Sequence, residues 1–248
     1  MHGSFEHNTV HMLWVYGELS QLEKISAKSF IKNGFSLIIW TYGKDNINID
    51  GANIKNAREV LPESEIFLNK YGSYAGFSDL FRYCVLDLYG GIYVDTDVIS
   101  IKHFNQIPNG NFLVTERIKG QDKKVSINGN VISYRNFKEK SIIEKAKKFA
   151  FEFPKSELMW GEIGPALLSK LVVEDPNNGF AILPPHFANP LNYWDCPEIF
   201  ISNVKVKKFA KDCCFIHLYN EMWRRKNIDK NKMYSLDTLY GKLITSFG

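Results

Sequence analysis

The chain has 248 residues, with 31 Lys+Arg against 27 Asp+Glu for a net charge of +4, 45% hydrophobic residues and 23% charged ones. That length and balance suffice for a real core and lie far from disordered or collagen-like compositions. A surplus of four positive charges is too small to recruit nucleic acid unless it is clustered, and no stretch approaches the roughly 20 apolar residues needed to cross a bilayer.

In chain order, the N-terminal "MHGSFEHNTVHMLWVYGELS" has no basic region followed by a long apolar one, so it does not read as a secretory signal. "HMLWVYG" (11–17) and "FSLIIWTYG" (35–43) are short apolar runs closed by glycine and predict buried strands. Between them, Leu22, Ile25, Phe30 and Ile31 recur at helical spacing and the segment ends on Gly34. Strand, helix, strand predicts a parallel pair and an α/β domain. A second helix is predicted over 77–89, with Leu80, Phe81, Cys84, Val85 and Leu88 as its apolar stripe and Gly90 as its stop.

"GIYVDTDVIS" then returns to strand composition, followed by "NFLVTER" (111–117) and by "KKVSINGNVISYRN", where Asn128-Gly129 predicts a type I′ hairpin. Helices are expected near 140–152 and 163–173, and "CCFI" before His217 reads as a buried strand. Cys84, Cys196, Cys213 and Cys214 form no C-x-x-C pair and read as reduced thiols, which suggests the cytosol. With no repeat and no linker tract, the expectation is a single domain over 1–248.

"LDLYGGIYVDTDVISIK" (86–102) places two carboxylates in an apolar strand. In an extended strand end Asp95 and Asp97 share a face while Thr96 points away. The carboxyl ends of strands are where open α/β sheets bind ligands. Two carboxylates there repel each other and lose hydration unless a cation lies between or beyond them, and oxygen ligands suit Mg²⁺ or Mn²⁺. Gly90 and Gly91 would leave room for a ligand to approach the backbone. A strand end entering solvent is the plainer reading of an isolated D-x-D.

The longer block "SDLFRYCVLDLYGGIYVDTDV" resembles the D-x-D region of glycosyltransferase family 32, the initiating mannosyltransferases and related capsule or lipopolysaccharide enzymes, and that of the clostridial glucosylating toxins. The matching elements are Ser78-Asp79, Arg82, Gly90-Gly91, Tyr93 and Asp95-x-Asp97. "HMLWVYG" is similar to the family's first strand, with Trp14 at the base-stacking position. "WGEIGPALLSKLV" and "ILPPHFANPLNYWD" resemble its Gly-Pro helix start and the segment after it, and "FIHLYNEMWRR" its C-terminal segment that closes over the donor.

The resemblance implies a GT-A-like α/β fold with a central, mostly parallel sheet and a decorated C-terminal third. Residues 1–100 would form the nucleotide-binding half ending in the D-x-D, and 101–248 the acceptor half and closing segment. It implies a metal-dependent, retaining transferase that moves a hexose from a nucleoside diphosphate sugar, UDP-sugar favoured over GDP-sugar, to a glycan, lipid-linked or protein acceptor, with Mn²⁺ or Mg²⁺ as cofactor. Asp79, Arg82, Asp95 and Asp97 would be catalytic. Trp14, Ser78, Asp79, Arg82, Tyr93, Asp95, Asn220 and Trp223 would bind the donor. Asp95, Asp97 and His217 would hold the metal, with Asn220 and Glu221 open as alternatives to His217. Trp160, Gly161 and Glu162 could line the acceptor side or simply pack before a helix.

The basic run 224–232, with Arg224, Arg225, Lys226, Lys230 and Lys232, reads as a solvated loop or as a site for the diphosphate, an anionic lipid-linked acceptor or a membrane surface. Surface polysaccharide synthesis in the cytoplasm, peripheral to the inner face of the membrane, is the default setting, and a toxin-like effector acting on a host protein is the alternative. "YVDTDVIS" also fits the signature of haloacid dehalogenase-type phosphatases, in which the first aspartate is a nucleophile. Here, however, it follows more than a third of the chain and the Ser78-Asp79…Arg82 block. A non-catalytic sugar-nucleotide-binding module is the remaining alternative.

Overall fold

The computed structural model describes residues 7–43, 47–136, 141–203 and 208–248. Residues 1–6 of the stretch read for a signal, and residue 140 at the expected start of a helix, lie outside them.

The first unit is β1 (Thr9–Trp14), α1 (Gln21–Lys32) and β2 (Ser36–Thr41), followed by β3 (Ala52–Asn56). Helix α1 starts where the sequence supplies a capping box: Ser20 accepts from the Leu22 amide and Glu23 returns a bond to the Ser20 amide. After α2 (Ala75–Tyr89) come β4 (Gly91–Val94) and β5 (Val98–Ser100). The remainder is β6 (Phe112–Ile118), β7 (Gln121–Tyr134), α3 (Ile142–Glu152), α4 (Pro165–Glu174), β8 (Ala181–Leu183), α5 (Glu198–Ile201), β9 (Phe215–His217), α6 (Asn220–Arg225) and α7 (Leu239–Phe247).

Seven strands form one sheet in the order β3-β2-β1-β4-β7-β6-β8, and β5 pairs separately with β9. The pairs β3–β2, β2–β1, β1–β4 and β6–β8 are parallel, whereas β7 runs antiparallel to both its neighbours. The sheet is covered on both faces, which is why its parallel strands read as unbroken apolar runs. Val10, Met12, Leu37, Ile39, Ile92 and Val94 join Ala27 and Phe30 of α1 in one core. The alternate residues Leu13, Ile38, Trp40 and Tyr93 join Phe77, Leu80, Phe81 and Val85 of α2 in another. At roughly 1.5–3 kcal/mol for each fully buried large apolar side chain, these two layers fix the strand register that carries the site.

Three sequence expectations are corrected. Asn128-Gly129 does not turn a hairpin: it lies inside β7, where Val114 pairs with Asn128 across an irregular register, and the reversal falls between β6 and β7 at Gly120, whose φ is +76°. Strand β4 ends at Val94, so Asp95-Thr96-Asp97 is a turn closed by the Val98 amide on the Asp95 carbonyl (3.2 Å) and not an extended strand end. Gly91 clears space for the neighbouring strand β1 rather than for a ligand. Gly90 caps α2 with φ of +67°, and Gly91 starts β4 with φ of +88°, at the opposite end from the aspartates. A Cβ on Gly91 would lie 3.0 Å from the Thr9 carbonyl oxygen and 3.2 Å from His11 Nε2. Buried His11 receives the Trp40 indole N–H on Nδ1 (3.1 Å) and contacts the Gly90 carbonyl through Nε2 (3.0 Å). Desolvation holds its pKa down at about 4, so the imidazole is neutral and Nε2 is the donor.

Candidate functional site

Strands β2 and β4 flank β1 and are reached by opposite crossovers, so a topological switch lies between β1 and β4, where open α/β sheets bind ligands. Trp14 ends β1 at the carboxyl edge from which the Asp95–Asp97 turn leaves β4.

The turn is held from three sides. The Asp95 amide donates to the Asn130 carbonyl of β7 (2.9 Å), and the Leu218 amide donates to the Asp97 carbonyl (2.8 Å). Pairing of β5 with β9 sets Val98 opposite His217 and so brings His217 beside Asp97. Asp97 Oδ2 accepts the Asn220 amide at 2.7 Å and lies 3.3 Å from His217 Nε2. Asp95, Asp97 and His217 each offer a ligand atom, and these atoms lie within 4.8 Å of one another. His217 was expected here. Asn220 takes part only through its amide, because its side chain accepts from Lys230 (2.9 Å), and Glu221 is bound to Arg224 and Arg225 (both 2.7 Å).

Arg82 forks between two carboxylates, with Nη1 to Asp79 Oδ1 at 2.9 Å and Nη2 to Asp95 Oδ1 at 3.0 Å. Its guanidinium also lies over the Tyr93 ring, 5.1 Å from the centroid. Tyr93 is buried and exchanges a 2.8 Å hydroxyl bond with Ser78, which makes this pair a brace beneath the fork.

Burial raises the Asp79 pKa to about 6 against the opposing pull of Arg82. Burial raises Asp95 as well, outweighing Arg82, with Asp97 pushing the same way. Asp97 itself is lowered: burial opposes its charge, but His217 and the Asn220 amide more than offset it. His217 is raised by Asp97 in spite of burial. With Asp79, Asp95 and Asp97 all ionised, the single positive charge of Arg82 leaves two negative charges in excess when the imidazole is neutral. Two carboxylates and an imidazole within reach of one point therefore fit a divalent cation in charge, and the mixed O,O,N donor set suits Mn²⁺ better than Mg²⁺.

Trp223 departs from expectation. It is fully buried, donates its indole N–H to the Leu218 carbonyl (2.9 Å) and packs on Phe200 and Tyr240, so in this arrangement it offers no face to a donor. Trp14 is half-buried, with its indole N–H on the Gly17 carbonyl (2.7 Å). Most of the basic run is internally committed: Arg224 and Arg225 to Glu221, Lys226 to Glu198 and Lys230 to Glu23. Trp160 is 51% exposed on the loop that leads to Gly164.

Sequence reasoning missed the residues that make room for the fork and line its far wall. A Cβ on Gly129 would overlap the Arg82 guanidinium, and one on Gly164 would sit 2.6 Å from Asp79 Cγ, so both glycines are required by the side chains beside them. Glu116 of β6 is another missed carboxylate; burial raises its pKa, opposed by His217 and a hydrogen bond from Asn128. The available signal was Asn128-Gly129-Asn130 interrupting an apolar strand, since buried polar groups demand partners.

The mixed α/β fold, with its mostly parallel seven-stranded sheet, is GT-A-like. Residues 20–113 match the family described as "Glycosyltransferase sugar-binding region containing DXD motif". The chain is 28% identical over 110 residues to an uncharacterised glycosyltransferase, L373, of Acanthamoeba polyphaga mimivirus. That alignment takes in 44% of this chain and 42% of the relative's length. The fold is similar to apo GlyE, a glycosyltransferase of Streptococcus pneumoniae TIGR4, with a TM-score of 0.51 at 14% identity over 96% of this chain and 62% of that one. The PaToxG glycosyltransferase aligns at a TM-score of 0.47 and 20% identity over 68% of this chain and 69% of that one.

Proposed function

We propose that the chain transfers a hexosyl group from a nucleoside diphosphate sugar to an acceptor hydroxyl, with a divalent cation, Mn²⁺ by its donor set, held by Asp95, Asp97 and His217. The observation that carries this is the convergence of those three side chains within 4.8 Å beside the Arg82 fork. When bound, such a cation supplies Lewis-acid stabilisation for the negative charge that develops on the departing diphosphate. The chain's own residues do the rest. Asp79 and Arg82 hold the donor sugar, with the guanidinium kept in place by Tyr93 and Ser78. Trp14, at the same sheet edge, is the platform for the base, with UDP-sugars favoured. The loop carrying Trp160 lines the acceptor side, which it reaches through Gly164 against Asp79. Retention of configuration follows the family resemblance, as do surface polysaccharide synthesis and a cytoplasmic setting. Among the described residues no helix is long and apolar enough to cross a membrane.

The test is a thermal-shift screen of nucleoside diphosphates and sugar nucleotides with and without Mn²⁺. A ligand at 100 times its Kd raises stability by about 2.7 kcal/mol. The reading requires a shift for a sugar nucleotide that depends on Mn²⁺ and disappears in Asp97→Asn. Shifts that ignore the metal would refute it.

A further inference from the structure

A histidine can ligate a metal through Nε2 only if its remaining proton sits on Nδ1, and the group facing Nδ1 decides that. Asn189 Oδ1 lies 3.2 Å from His217 Nδ1. Three buried contacts fix which way this amide points. The Thr115 carbonyl can only accept, so the atom 3.0 Å from it is the Asn189 amino group. That turns Oδ1 toward Asn130, whose own amino group donates to it at 2.9 Å. The same oxygen is therefore an acceptor toward His217. The backbone around Asn189 is locked as well, because the His217 amide donates to the Ala188 carbonyl (3.1 Å) and the Cys214 amide to the Phe187 carbonyl (2.9 Å). The His217 ring also lies against Tyr219, with centroids 3.9 Å apart, and the Tyr219 hydroxyl is tied to the Leu191 carbonyl.

We propose that Asn189, oriented by Asn130 and the Thr115 carbonyl, is a positioning residue that keeps the His217 proton on Nδ1 and so presents the Nε2 lone pair to the cation shared with Asp95 and Asp97. Asn189 lies within the "ILPPHFANPLNYWD" segment and Asn130 within Asn128-Gly129-Asn130, but neither segment assigns its asparagine a role. The inference rests on the metal-site reading above, and the two fail differently.

The direct measurement needs no substitution. In the wild-type protein with saturating Mg²⁺ at pH above 8, long-range ¹H–¹⁵N imidazole spectra should show His217 as the Nδ1–H form. An Nε2–H form in the cation-bound protein overturns the proposal. Absence of any Mg²⁺ or Mn²⁺ binding instead overturns the metal site itself. The second measurement is Mn²⁺ affinity followed by the free-ion electron paramagnetic resonance signal. Asn189→Leu, similar in size but without an acceptor, should weaken Mn²⁺ binding about 10- to 100-fold, as loss of an outer-shell partner does. Asn189→Asp keeps the acceptor and should bind Mn²⁺ at least about tenfold more tightly than Asn189→Leu. A folded Asn189→Leu with wild-type Mn²⁺ affinity refutes the role; if that variant does not fold, the wild-type spectrum decides.

Discussion

Gly129→Ala sets two physical effects of opposite sign against each other. Gly129 lies within β7 at negative φ, where alanine is conformationally allowed and limits the unfolded chain more than glycine does. Backbone reasoning alone therefore predicts a gain of about 0.4–1 kcal/mol. The structure predicts a loss, because the added Cβ would lie 3.1 Å from Arg82 Cζ and closer still to Nη1. A free arginine would swing aside at little cost. This guanidinium cannot, since it is buried between Asp79 and Asp95 and lies over Tyr93. Displacing it strips the partner from buried Asp79 and half-buried Asp95, and breaking a buried pair costs about 3–5 kcal/mol. At about 2–4 °C per kcal/mol for a chain of this size, the midpoint should fall by about 6–20 °C. Urea denaturation of Gly129→Ala gives the free energy, and repeating it on an Arg82→Ala background gives the coupling. The penalty should largely vanish once the guanidinium is absent. A neutral or stabilised single variant, or an undiminished penalty without Arg82, would refute the fork as described.

Asp97→Asn should reduce Mn²⁺ affinity at least about a hundredfold by titration, since it removes a charged ligand rather than an outer-shell partner; unchanged affinity would remove the metal site. Metal binding should also depend on pH with a defined sign. His217 has its pKa raised above 6.5, and proton and cation compete for Nε2, so Mn²⁺ affinity should fall about tenfold per pH unit as pH drops below that raised pKa. In chelator, the His217–Asp97 pair stabilises the fold fully below 6.5 on the histidine side and loses this as pH rises through the raised value. On the aspartate side its contribution is present above 3.8 and is lost as pH falls through the lowered value. The melting-temperature gain from Mn²⁺ should therefore grow between pH 6 and 8, and a gain that shrinks would contradict the assignment.

The α/β character of this chain and the identity of its acids were available in the sequence because both are local properties. Strand β2 carries an apolar run of four, Leu37 to Trp40, α1 carries its capping box within four residues, and Ser78-Asp79, Arg82, Asp95 and Asp97 all fall within 20 positions. What those residues do to one another depended on distance in space. Antiparallel pairing of β5 with β9 carries His217 to Asp97 across some 120 positions, and the same contact directs Asn220 through its amide rather than its side chain.

Gly129 and Gly164 read as a turn and a helix start because nothing nearby in sequence shows that a guanidinium and a carboxylate fill the space where their side chains would be. Trp223 read as a donor contact because an aromatic in a C-terminal motif looks the same whether it faces a ligand or the core; packing on Phe200 and Tyr240 decided for the core. Periodicity and residue chemistry thus determined the elements and the charged groups. The tertiary structure alone determined which charges meet, because an ion pair or a metal site is set by the meeting of side chains from separate strands, and no single segment encodes it.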